Sequence, residues 1–446
     1  MVTLGNLSLE EIKIQFKNGD ALFPSNIFKD PNLGGFFDYS LMKPCPEYKI
    51  FYHRKDSRVI STFEDKLKVV LSNYPFNMKI NEGNIKKFEI DNNFDDLKSR
   101  LDKESKNDQA MPVKPFYIIV TKKGSKTDPE SPYYILKSML LDREIQSQFV
   151  TSDTLYDYRK FTKFTICNVS LGIAVKMGLR PWISNAKIQL NDESKETIII
   201  GIGITKIFKS RFDRIPTNYV GYISFYNSLG LFVHLKPLYS TIQDLKMKLA
   251  KIIKDGISKA AINAKLDVLD VIIHYSGKEL SNVEEEMIIK GIREARDESN
   301  ISKVNLAVLR LIKDSSYRMF SPSMGGYVNV GTYLNLENSL AVISVTGSIG
   351  EFFQGGVPRP ILMSVKVLKK FKTNSEEPIE INDQIIHRLV HSIVAMTRMN
   401  WRTFSAFNFE PATTKYAREM AYLFFKLKPE VSEKQRDILE NTLWFI

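Results

Sequence analysis

Between residues 196 and 312 the sequence follows an order that few architectures accommodate. Three apolar runs rich in β-branched and aromatic residues come first: "ETIIIGIGI" (196–204), "YVGYISFY" (219–226) and "GLFVHL" (230–235). A helical stretch (240–264), a strand "DVLDVIIHY" (267–275), a helix "SNVEEEMIIKGIREAR" (281–296) and a strand "KVNLAVLRLI" (303–312) follow. Ser240 with Gln243, and Ser281 with Glu284, have capping-box spacing, which predicts both helix starts. Residues 215–235 lack formal charge, but Pro216, Asn218, Asn227, Ser228 and Gly230 interrupt them, so they predict two strands joined at "NSLG" and not a membrane span.

Upstream, from about residue 48 to 180, short strands alternate with helices: "YKIFYH", "TFEDKLKVVLSNY", "KKFEI", "DDLKSRLDKE", "FYIIV" and "YYILKSMLLD". This alternation predicts a parallel sheet flanked by helices, a Rossmann-like layer. No glycine-rich GxGxxG turn follows any of these strands, so anion binding there must come from side chains. The balance of 63 Lys plus Arg against 51 Asp plus Glu, a net charge of +12, favours a polyanionic partner. Cys45 and Cys167 lie far apart without metal-ligand spacing, and the N-terminal residues lack a secretory pattern, so a cytoplasmic home is expected. His387 and His391 share a helix face at i, i+4 but have no third ligand nearby, which argues against zinc. Residues 382–400 and 411–427 predict two further amphipathic helices, and residues 1–45 carry no assignable pattern.

The order β-β-β-α-β-α-β is that of the ribonuclease H core. Nucleases on this core hold two divalent ions with three or four carboxylates, because both the attacking and the leaving oxygen of a phosphodiester must be polarised. One Asp belongs in the middle of the first strand, where this sequence has Gly203, and another at the end of the fourth, where it has Ser276. No acidic residue lies between Asp213 and Asp244 to supply a glutamate. An alternative is a sheet with no nuclease ancestry, in which these are ordinary strand residues.

Separated motifs resemble those of the MID and PIWI halves of Argonaute proteins, and the length resembles that of short prokaryotic Argonautes. "IIIGIGITK" is similar to the family's "hGxDVT" strand with Gly203 for Asp, and "VIIHYSGKE" to its "IIhYRDG" with Ser276 for Asp. "PATTKYAREMAYL" is similar to its "PAPxxYAHLxA" helix, with Arg418 at the fourth-ligand position. "PYYILKSMLLDREIQSQFV" resembles the guide-anchoring motif, which implies Tyr133, Lys137 and Gln148 as ligands of a guide 5′-phosphate; "CNVSLGIAVKMGLRPW" adds Lys176. Tyr133 and Lys137 are four apart on one helical face, so a phenol and an ammonium can meet one terminal nucleotide. Gly172 stands where many relatives carry a further lysine. The resemblance implies that Mg²⁺ replaces that charge, held by Gln148 and the α-carboxylate of Ile446. Lys160, Lys163 and Arg398 are further candidates for the guide backbone.

The resemblance implies an α/β chain with a Rossmann-like MID domain (46–180) followed by a ribonuclease H-like PIWI domain (181–446), after an N-terminal segment (1–45). It further implies a guide RNA, a complementary target DNA, no cleavage, no direct membrane insertion, and a role as the sensor of prokaryotic immunity. The resemblance also implies a partner that carries an APAZ domain and works with an effector protein. Two alternatives stand beside this: a nuclease using Asp213, Asp267 or Asp270, and a basic module that binds nucleic acid or protein nonspecifically.

Overall fold

The computed structural model describes the chain except residues 1, 44–46, 79, 81, 92, 123–130, 157–162, 208–217, 242–243, 262–266, 278, 322–325, 338, 350–351, 354–358, 406, 428–439 and 446. Four strands form a parallel sheet in the spatial order Ile85–Ile90, Tyr48–His53, Phe116–Thr121, Ser147–Thr151. The two central strands are buried at every position, as expected of a parallel sheet covered on both faces. Side chains alternate across it: Tyr48, Ile50 and Tyr52 join Ile60, Phe63 and Leu67 of helix Ser57–Ser72. Phe51, Tyr117 and Ile119 meet Leu97, Leu101, Leu136 and Leu140 from helices Phe94–Gln109 and Pro132–Leu141 on the other face. The predicted Rossmann-like layer is present.

A second, larger sheet begins in the order Phe232–Thr241, Asn218–Tyr226, Glu196–Ile207, Val268–Ser276, Lys303–Ile312. The first three strands pair antiparallel, and Glu196–Ile207, Val268–Ser276 and Lys303–Ile312 pair in parallel. This is the ribonuclease H arrangement, extended by Ile361–Lys372, Leu340–Ile343, Thr332–Glu337 and finally Thr3–Asn6 at the edge. Alternation sends Ile198, Ile200 and Ile202 toward Leu249, Ile253, Ile257, Ile288 and Ile292 of helices Leu245–Ala261 and Asn282–Glu298. Each such fully buried side chain contributes roughly 1.5–3 kcal/mol. Gly201 and Gly203 face the opposite way, toward helix Ala412–Leu427.

One sequence expectation is corrected. The capping box at Ser281 and Glu284 forms with both hydrogen bonds, but Ser240 lies inside strand Phe232–Thr241 and the helix begins at Leu245. Ser240 registers opposite Tyr219, so ladder pairing with the neighbouring strand displaces the local cap. Residues 1–45, unassignable from sequence, reach across the molecule. Thr3–Asn6 pairs with Thr332–Glu337, and Ile14–Gln15 pairs with Ile183–Ser184. Among the described residues no helix is long and apolar enough to cross a membrane.

Candidate nucleic-acid interface

Three elements of the parallel-sheet layer converge on one pocket of about 800 Å³. Helix Pro132–Leu141 presents Tyr133 and Lys137, strand Ser147–Thr151 presents Gln148, and helix Lys163–Lys176 presents Lys176. The last helix turns one face inward, because Thr165, Asn168, Val169, Gly172 and Lys176 recur at helical spacing and all line the pocket. Arg402, Arg418, Glu419, Trp444 and Phe445 close the remaining wall. Tyr133, Lys137, Gln148 and Lys176, predicted as one site, are brought together.

The pocket is cationic and underused. Lys137 Nζ donates to the carbonyl and hydroxyl oxygens of Ser147 at 3.2 and 3.1 Å and lies 5.5 Å from the centre of the Trp444 ring. Lys176 Nζ donates to Gln148 Oε1 at 2.5 Å. Among the described residues neither amine has a carboxylate partner, and Glu419, the acid in the described lining, is held by Arg402. Nε1 of Trp444 and Nε of Arg402 are buried donors without a partner. Such donors cost about 1–3 kcal/mol each until a ligand accepts from them. Tyr133 stacks edge-on against Phe149 with ring centres 4.9 Å apart, which fixes a flat phenol at the pocket wall.

Burial pushes the Lys137 ammonium down to about 7. Lys176 is held well below the usual lysine range, first by burial and then by the charges of Lys137 and Arg402. An arriving phosphate restores both ammonium groups, so binding takes up protons wherever the empty pocket has lost them. For the Lys137 proton, affinity for a phosphate monoester is expected to fall above about pH 7 by about tenfold per pH unit. Below about pH 6 it falls again as the monoester protonates. Calorimetry in buffers of different ionisation enthalpy measures the uptake directly; a flat profile from pH 6 to 9 contradicts it.

Other predicted contacts are placed differently. Arg398 is 3% exposed, and its guanidinium donates to the Leu22 carbonyl of the N-terminal segment, so it is unavailable to a guide backbone. Its carbonyl accepts from Trp182 Nε1 at 3.0 Å, which ties the helix end into the core. Arg402, four residues further on, lines the pocket instead. Sequence reasoning missed it because helix Asp383–Arg398 ends at Arg398 and the chain turns there. Lys160 and Ile446 lie outside the described residues, as does the side chain of Lys163. For Mg²⁺, Gln148 Oε1 is the hard donor in place, and it already accepts from Lys176 Nζ. Phe445, the residue before Ile446, lines the same pocket.

At the nuclease position the sheet is closed off by backbone. A Cβ added to Gly203 would lie 2.4 Å from Arg418 N and 2.5 Å from the Ala417 carbonyl carbon; one on Gly201 would lie 2.2 Å from Thr413 O. Helix Ala412–Leu427 thus lies directly on the glycine strand, where a side chain would otherwise project. Ser276 ends strand Val268–Ser276. Arg418 Nη2 and Lys313 Nζ both reach Oε2 of buried Glu410 at 2.9 Å, and these cations hold its carboxyl below the usual range against the opposing effect of burial. Asp270 accepts from Leu190 N, Asn191 N, Ser194 Oγ and Asn305 Nδ2, a structural set that leaves it committed. Asp267 precedes the strand that ends at Ser276, about 30 Å away at strand rise. Asp213 lies outside the described residues. Among the described residues no three His, Cys, Asp or Glu side chains are grouped to hold a metal.

The Piwi domain family model matches residues 117–427, most of the chain. A Piwi protein of Archaeoglobus fulgidus is 25% identical over 383 residues, covering 81% of each chain. Drosophila Piwi matches with a TM-score of 0.71 at 14% identity, covering 97% of this chain and 55% of that one. Clostridium butyricum Argonaute bound to a guide DNA and a 19-mer target DNA matches with a TM-score of 0.67 at 15% identity, covering 100% of this chain and 55% of that one. The chain spans little more than half the length of these solved structures.

Proposed function

The chain belongs to the Piwi domain family, and from that premise we propose that it holds the 5′-phosphorylated end of a guide, an RNA, and pairs it with complementary DNA without cutting. The observation that carries this is the meeting of Tyr133, Lys137, Gln148 and Lys176 in one pocket that also holds two buried N–H donors without a partner among the described residues. A cavity of this size accommodates a terminal nucleotide: the base against Tyr133, the phosphate between Lys137, Lys176 and Arg402. Mg²⁺, held through Gln148 and the carboxylate of Ile446, would supply further positive charge to the guide phosphates. Sequence selection is left to base pairing, so the protein needs only backbone contacts and shape.

The reading without cleavage is supported by the helix backbone over Gly203 and by the cations around Glu410. A chain that recognises and does not cut can signal, and the proposed role is the sensor of a prokaryotic immune system acting with an APAZ-domain partner and an effector. The test is fluorescence anisotropy with matched 5′-phosphate and 5′-hydroxyl guides. The phosphate is expected to strengthen binding by about 2–4 kcal/mol, the scale of one to two charged hydrogen bonds, and EDTA to reduce that advantage. Equal affinity for the two guides rejects the pocket.

A further inference from the structure

We propose that Lys313 and Arg418 form a phosphodiester clamp at the closed nuclease position, with Glu410 as its internal, displaceable counter-ion. The proposal rests on the chain pairing a guide with a second strand. Lys313 directly follows strand Lys303–Ile312, whose Leu311 stands in register with Ser276. Arg418 N lies against Gly203. Both cations therefore stand by the carboxyl ends of the parallel strands, where open α/β sheets bind their ligands.

The charge count points the same way. Two cations share one oxygen of one carboxylate, which leaves one positive charge uncompensated. The Arg418 side chain is 49% exposed and that of Lys313 32%, whereas Glu410 is 9% exposed. The carboxylate is thus fixed within the protein while the cations stand on its solvent side. Glu410 Oε1 is buried without a partner, so the carboxylate meets both cations through Oε2 alone. A phosphodiester carries the same single charge and offers two oxygens, so it satisfies the arginine fork and the ammonium better than Glu410 does. Metal-dependent nucleases on this core bring the reacting phosphate of the cut strand to this place. With cations here in place of metal ligands, the same strand is held and not hydrolysed. Arg418 also lines the guide pocket, so the clamp adjoins it; Lys313 does not line it, and variants at Lys313 tell the two sites apart.

The test measures capture of complementary DNA by the guide-loaded protein as a function of salt. Lys313→Gln is expected to weaken capture about fivefold at 0.1 M salt and to flatten the log–log salt slope by about 1, leaving loading of the 5′-phosphorylated guide unchanged. Glu410→Gln is expected to do the opposite, strengthening capture and steepening the slope. Salt slopes unchanged in both variants, with shifts in melting temperature alone, would show a merely structural ion-pair cluster and overturn the proposal. So would a loss confined to guide loading in Lys313→Gln. The wild-type preference for 5′-phosphate over 5′-hydroxyl guides reports separately on the guide pocket and does not enter these slopes.

Discussion

Lys137→Met is expected to raise the stability of the empty protein while weakening 5′-phosphate-dependent guide binding about 30- to 150-fold, or about 2–3 kcal/mol. Methionine keeps the length of the side chain and removes a fully buried ammonium that burial has pushed down to about 7. Because this folded-state value lies below the unfolded one, the native state is penalised for binding the proton. The penalty is complete below about pH 7 and disappears as pH rises to the ordinary lysine range. The gain from methionine is therefore largest at pH 7 and below and shrinks toward pH 10. Against it stands the loss of a donor to the Ser147 carbonyl and hydroxyl, about 1 kcal/mol each. A melting temperature higher by about 2 °C at pH 7 is the net expectation. Lower stability together with unchanged guide affinity would show that Lys137 serves the fold and not the ligand.

Gly203→Asp, the substitution that restores the carboxylate of a ribonuclease H site, is expected to fail as a nuclease and to damage the fold. Its Cβ would meet Arg418 N at 2.4 Å and Ala417 C at 2.5 Å, and helix backbone cannot rotate away as a side-chain tip can. Overpacking of this kind costs about 1–3 kcal/mol or more, and a carboxylate pressed into the interface adds its desolvation. Ser276→Asp is the control, because Ser276 is half-buried at a strand end. The expected outcome is a strongly destabilised Gly203→Asp, a well-folded Ser276→Asp, and no target cleavage by either or by the double variant. A stable, cutting double variant would show that the helix moves off the strand and that only the ligands had been lost.

What was legible in the sequence follows from where each element gets its stability. Tyr48–His53 and Phe116–Thr121 are buried at every position, and Lys303–Ile312 at most, so their apolar runs are explicit. Tyr133, Lys137, Gln148 and Lys176 were legible because each sits in a local pattern that resembles a family motif. Arg402 belongs to no such pattern: it reaches the pocket because the chain turns after Arg398, and its guanidinium is held by Glu419 and the Phe445 carbonyl. The N-terminal segment was illegible for the same reason. Its two-residue strands have little local preference: Ile14–Gln15 is ordered by pairing with distant Ile183–Ser184, and Asp20–Ala21 pairs in turn with Ile14–Gln15. Gly203 of "IIIGIGITK" could be seen as a missing carboxylate, but its strand not as the seat of a helix. That meaning appears only when Thr413, Ala417 and Arg418 are placed upon it.

Recognition without cutting can be tested in a single assay. Wild-type protein is loaded with a 5′-phosphorylated RNA guide and given end-labelled complementary DNA with Mg²⁺ or Mn²⁺. The account predicts a retained complex that depends on complementarity and returns full-length DNA on denaturation. A product cut at a fixed distance from the guide 5′ end would contradict it.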